Sequence, residues 1–207
     1  MKKNQTVRNN ATGETLTMLI SEEDNGGACQ LYEVHLPPRR PGPPLHYHTD
    51  FIETFTVRQG QLDIYLEKDQ KHVLLLPGRS ATAQLQQLHR FANEHDEPAI
   101  FTIETKPAGG VVKAFQLAYG IANDGGTAKD GLPRNPIARL VFIKTAQGYL
   151  PGIPRTLQKL VFACAALLAR ITGLEKRWQA YFTQPASSPE GFPPGGTERK
   201  SGRSESS

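Results

Sequence analysis

His46 and His48 stand two residues apart, Glu53 follows at a distance of five, and His89 lies on a later segment, LHRFAN. On an extended strand, residues two apart point to the same side, about 7 Å apart along the chain. His46 and His48 therefore aim their rings at a common point while Tyr47 points away. A turn at Thr49–Phe51 resets the parity, so that Glu53 shares an inward face with Phe55 and Val57. His89 shares a face with Phe91 and Asn93. Three imidazoles and a carboxylate from three strands suit a divalent transition metal: Fe, Mn, Ni, Cu, Zn or Co. Four protein ligands on an ion that accepts five or six leave one or two positions open, the condition for a catalytic site. Glu53, if weakly bound, is also placed to take a proton from a substrate.

These ligands need strands to hold them. The chain has 207 residues, 38% hydrophobic and 21% charged, enough for one good core and an appendage. Its 16 prolines and 19 glycines point to many turns and a β-rich fold. Strands are predicted at residues 14–20, 29–36, 45–48, 52–58, 61–67, 71–76, 82–85, 88–93 and 99–105. Leu62, Ile64 and Leu66 share one face of their strand, with Asp63, Tyr65 and Glu67 opposite. Residues 37–44, PPRRPGPP, hold five prolines and read as a stiff connector, because proline removes ladder donors. Gly60 and Pro77-Gly78 mark reversals. Many short strands separated by turns suggest a sandwich or barrel.

The pattern His46-x-His48-x4-Glu53-x6-Gly60, then Pro77-Gly78 and His89-x3-Asn93, resembles the two motifs of the cupin superfamily over about residues 35–105. Gly42 lies nearer the first histidine than the usual glycine. Gln84 and Gln86 stand five and three residues before His89, where that family usually carries proline and glycine. The resemblance implies a mainly β fold, a jelly-roll double-stranded β-helix, with His46, His48, Glu53 and His89 as metal ligands. It also implies a small-molecule ligand in the barrel and, as in many small cupins, a homodimer.

Beyond residue 110 the character changes. Helices are predicted at 111–122, 137–149 and 155–174, with a loop at 123–136. The organisation expected is a barrel at 1–110, a helical extension at 111–183 and a disordered tail at 184–207, where Phe192 is the one large apolar side chain. Lys and Arg exceed Asp and Glu by 10 − 3 = 7 in residues 111–183, whereas residues 1–110 give 11 − 14 = −3. The acidic histidine module argues against a nucleic-acid partner. The apolar run at 160–174 spans about 22 Å, short of the ~30 Å hydrocarbon core. It is expected to dock on the barrel, form a dimer contact, or lie on a membrane surface through residues 155–177, whose basic members are Arg155, Lys159, Arg170, Lys176 and Arg177. Cys29 and Cys164 fit no zinc or redox spacing. The basic N-terminus has no apolar run behind it, so no secretory signal is expected and a cytoplasmic location is.

Three functions fit these residues. The resemblance suggests a metal-dependent dioxygenase acting on a small enolic or aromatic substrate, with Glu53 as the catalytic carboxylate. A non-catalytic small-molecule-binding module, whose basic extension contacts a partner or a membrane surface, is the second. A sugar or keto-acid isomerase or epimerase needs the same four ligands.

Overall fold

The structure, a computed structural model, describes residues 1–67, 71–128 and 131–183, so the expected tail at 184–207 lies outside the described residues. The first half contains β1 (Thr6–Arg8), β2 (Thr15–Ile20), a 3-10 turn at Glu22–Asp24, β3 (Gln30–Leu36), β4 (Arg40–Pro41), β5 (Tyr47–His48), β6 (Ile52–Gln59), β7 (Leu62–Leu66), β8 (Lys71–Leu75), β9 (Ser80–Ala83), β10 (His89–Asn93) and β11 (Ala99–Lys106). The second contains α1 (Val111–Asn123), α2 (Pro136–Thr145), β12 (Gly148–Tyr149), α3 (Arg155–Ile171) and α4 (Leu174–Thr183).

Period-two alternation builds the barrel. In β3, Gln30, Tyr32, Val34 and Leu36 are buried and the residues between them are not. In β6, Glu53, Phe55 and Val57 are buried in the same way. β11 pairs with both, aligning Tyr32, Ile103 and Phe55 across three strands. The six-stranded sheet runs β1-β2-β3-β11-β6-β9, and the four-stranded sheet runs β4-β10-β7-β8, with antiparallel pairing. Leu16, Met18, Phe55 and Phe101 from the first meet Leu62, Ile64 and Phe91 from the second in one core. Each such side chain contributes about 1.5–3 kcal/mol when fully buried. The proline-rich connector supplies only the two-residue edge strand β4, as its missing donors require. Gly60 takes φ +74°, and a Cβ there would fall 2.2 Å from the Pro98 carbonyl oxygen, so the β6–β7 reversal accepts no side chain.

Several expectations shift. The strand predicted at 82–85 ends at Ala83, because residues 84–87 form the turn that delivers His89. Asp63, predicted on the outer face, is buried: it bonds His72 Nε2 at 2.7 Å, accepts the Glu94 N–H at 3.1 Å and lies 3.1 Å from His95 Nε2. The helix predicted at 137–149 stops at Thr145. Gln147 then adopts φ 53°, and Gly148–Tyr149 pairs as β12 with Tyr47–His48 of β5.

The helices attach to the barrel through α1. Val111, Val112 and Tyr119 join the barrel core, while Leu117 and Ile121 pack with Ala138, Ala169, Trp178 and Tyr181 in a second core. The helix predicted at 155–174 ends at Ile171. Gly173, at φ +75°, reverses the chain, and α4 leaves at 90° to α3. Tyr181 Oη donates to Asp124 Oδ2 at 2.6 Å, tying α4 back to the end of α1.

Candidate metal centre

His46 and His89 are brought together by backbone pairing. Each donates its N–H to the other's carbonyl, at 3.0 and 2.8 Å, in an isolated antiparallel bridge. Their ring centroids lie 4.4 Å apart. His48, on β5, projects to the same side as His46, and its ring stacks on the buried Phe51 with centroids 4.3 Å apart. Phe51 belongs to the turn that restores Glu53 to the inward face of β6. His48, Glu53 and His89 are buried. His46 keeps an exposed edge, although its ring is enclosed. One ligand atom from each of the four residues lies within 4.8 Å of all the others.

The imidazoles are locked in one orientation. His46 Nδ1 lies 2.8 Å from the Pro44 carbonyl oxygen, His89 Nδ1 2.9 Å from that of Gln87, and His48 Nδ1 3.0 Å from that of Gln147. A carbonyl oxygen only accepts, so each Nδ1 carries the hydrogen and each neutral Nε2 presents a lone pair inward. His46 Nε2 and His48 Nε2 are 3.1 Å apart, and His89 Nε2 is 2.9 Å from Glu53 Oε2. Lone pairs converging at these distances call for a proton or a cation between them. Backbone-anchored imidazoles with a carboxylate are the donor set of a first-row divalent ion, so the residues fit a metal.

Electrostatics agree. Burial, reinforced by His89 and His48, pushes His46 down to about 3, so this ring stays neutral and free to ligate. Burial also acts to lower His48, but the charge and hydrogen bond of Glu53 outweigh it and raise that pKa. Burial alone would raise Glu53; the His48 and His89 imidazoles prevail and hold the carboxyl well below its usual range. Close to Glu53, the buried Gln30 Oε1, Tyr32 Oη and Thr105 Oγ1 have no hydrogen-bond partner. Gln30 and Thr105 lie in the same cross-strand row as Glu53, which marks a polar floor beneath the cluster.

Above the ligands is a cavity of about 40 Å³ whose other walls are Pro43, Phe91, Ile103, Val111, Ala114, Phe115, Phe142 and Ala146. An adjoining cavity of about 70 Å³ shares Pro43, Phe91, Phe115 and Phe142 and ends at Glu14, Arg40 and Tyr119. Arg40 Nε bonds Glu14 Oε1 at 3.2 Å, so the cation at that end is already paired.

The family model for the cupin domain matches residues 32–104, which contain all four candidate ligands. This stretch is a cupin domain. Solved structures similar to the chain include KdgF from Halomonas sp., at 17% identity, covering 46% of this chain and 79% of that one, with a TM-score of 0.40. A sugar phosphate isomerase of the cupin superfamily from Silicibacter pomeroyi is 26% identical, covering 46% and 61%, with a TM-score of 0.40. A predicted oxalate decarboxylase from Thermotoga maritima is 16% identical, covering 51% and 92%, with a TM-score of 0.43. No curated protein matches the chain.

The structure brings all four sequence-predicted ligands of the cupin domain into one cluster. Gln86, at the position where the cupin resemblance leads one to expect glycine, takes φ 62°, a left-handed conformation, and donates its N–H to the His48 carbonyl at 2.7 Å. The altered turn thus still places His89. Sequence reasoning missed the contribution of the extension. Gln147 from the segment after α2 orients His48, and Val111, Ala114, Phe115, Phe142 and Ala146 roof the pocket. The visible signal was the apolar spacing of Val112, Phe115 and Ala118, which gave a helix but not the surface it covers.

Proposed function

We propose that this protein is a metal-dependent dioxygenase acting on a small, largely apolar enolic or aromatic compound. The observation that carries this reading is the lining of the metal pocket. Beyond the ligands, the described residues that wall it are proline, alanine, aliphatic and phenylalanine side chains. A sugar would leave its hydroxyls without partners against such walls, at a cost of about 1–3 kcal/mol for each buried unpaired group. An aromatic or enolic body leaves no such groups unpaired against these walls. This favours the oxygenase over the isomerase or epimerase.

A bound divalent ion supplies Lewis-acid activation of an enol or phenol oxygen and, with a redox-active metal, electron exchange with dioxygen. The chain does the rest. Phe91, Phe115 and Phe142 hold the flat body of the substrate and exclude water. Glu53 is the carboxylate in the pocket and takes the proton of the enol or phenol. Its depressed pKa suits it to a donor already made acidic by coordination. The substrate is the reductant, and both atoms of O2 end in product.

The test is oxygen uptake by protein loaded with Fe(II) or Mn(II), offered a panel of flavonols, catechols and β-diketones. Metal-dependent uptake of about one O2 per substrate is expected, lost in His46→Ala together with the bound metal. No metal-dependent uptake with any of these compounds would overturn the reading.

A further inference from the structure

The helix α3 carries two apolar faces and buries only one. Gln158, Phe162, Ala165 and Ala169, spaced by three and four residues, face the protein. On the other side Leu157, Leu160, Val161, Leu167, Leu168 and Ile171 are 49%, 61%, 38%, 58%, 47% and 72% exposed. They recur at the same helical spacing, with Cys164 exposed among them, so at about 100° per residue they form one continuous stripe. Ile153, just before the helix, extends it at 43% exposure. Isolated exposed leucines are ordinary, but a contiguous patch of this kind marks an interaction surface.

Charge selects the occupant. The residues of α3 include Arg155, Lys159 and Arg170, all exposed, and no Asp or Glu; exposed Lys176 follows on α4. Two copies packed through the stripe, parallel or antiparallel, would carry Lys159 and Arg170 along one margin of the contact. Neither arrangement supplies an acid from this helix. The tail at 184–207 offers Phe192 as its one large apolar side chain, too little to cover the stripe. An apolar face edged by cations is complementary to acyl chains beneath anionic headgroups. The helix is about 26 Å long, and no single helix of the described residues is long and apolar enough to cross a membrane.

We propose that α3 docks this protein in plane on an anionic lipid surface, with Leu160, Leu167 and Ile171 inserted and Lys159 and Arg170 at headgroup level. The proposal is independent of the reaction assigned to the cupin domain.

The test uses the full chain carrying Cys29→Ser, labelled at Cys164 with an environment-sensitive fluorophore. It is mixed with vesicles of equimolar phosphatidylserine and phosphatidylcholine, or of phosphatidylcholine alone. A blue shift and at least tenfold stronger co-sedimentation on the anionic vesicles are expected. Raised salt and the Lys159→Glu/Arg170→Glu variant should weaken binding. The unlabelled Leu160→Ser/Leu167→Ser/Ile171→Ser variant should lose it, with unchanged circular dichroism and metal content. Equal binding to both vesicle types, or none to either, would overturn the proposal. So would a lipid-free dimer, seen by sedimentation velocity and trapped by Cys164 cross-linking, that the triple serine variant abolishes.

Discussion

In β6, Phe55 and Val57 are fully inside while Thr54 and Thr56, alternating with them, face outward, Thr54 bonding Thr82 and Thr56 bonding Ser80 on β9. In α3, Phe162 and Ala165 are buried, yet Leu160 and Ile171 one turn or two away remain in the open. The strand has two faces and the sheet assigns both. The helix has a wider circumference than its neighbours cover, so its apolar residues exceed what the fold needs. The same contrast holds in the metal centre. The barrel contributes the four ligand side chains, and the extension contributes one carbonyl and the apolar roof.

The largest test of that division is Gly110→Val. A Cβ at Gly110 would fall 1.9 Å from the Thr145 carbonyl oxygen, and the Gly110 N–H donates to Gln147 Oε1 at 2.8 Å. The substitution should push the end of α2 and β12 off the barrel and remove the carbonyl that orients His48. Metal affinity is expected to fall about 10–100-fold, the usual cost of losing a ligand's outer partner, with all four ligands present. Chelator competition measures it. Unchanged affinity would show that the barrel holds the site alone.

A second test concerns pH. Glu53 raises the His48 pKa above its ordinary value, so below that raised pKa the metal-free site holds a proton on His48. A metal must displace it. His46, at about 3, and Glu53, held lower still than usual, carry no such proton at mildly acidic pH. His48 therefore contributes a loss of about tenfold in affinity per unit fall in pH through this range. Titration in buffers of different ionisation enthalpy should register proton release on metal binding. Affinity that is flat with pH would break the assignment of His48 as a ligand.

The smallest effect is expected at Gln86→Gly. Gln86 holds φ 62°, a conformation that costs a side-chain-bearing residue about 1–2 kcal/mol, partly offset by glycine's greater freedom when unfolded. A gain of about 0.5–1 kcal/mol in urea unfolding, with metal affinity unchanged, is predicted. Lower metal affinity would mean that the glutamine side chain, and not only its backbone, places His89.

The candidate ligand set was legible in the sequence because strand parity, a local rule, groups His46, His48 and Glu53, and the resemblance to the cupin motifs adds His89. His46 and His48 share a side by their spacing, and the turn at Thr49–Phe51 returns Glu53 to that side. Spacing alone also located most barrel strands to within a few residues, but not β1 (Thr6–Arg8) or the short β4. Tertiary structure decided the rest. Asp63 is buried because His72 and His95 close over it from elsewhere in the chain. Gln147 reaches His48 across 99 residues of sequence, through a two-residue strand too short to carry a periodic signal. The helix α3 could be read as amphipathic, but which of its apolar faces the protein would cover depends on where α2 lies. Contacts between distant segments are set by packing and chain geometry, which periodicity in one segment does not encode.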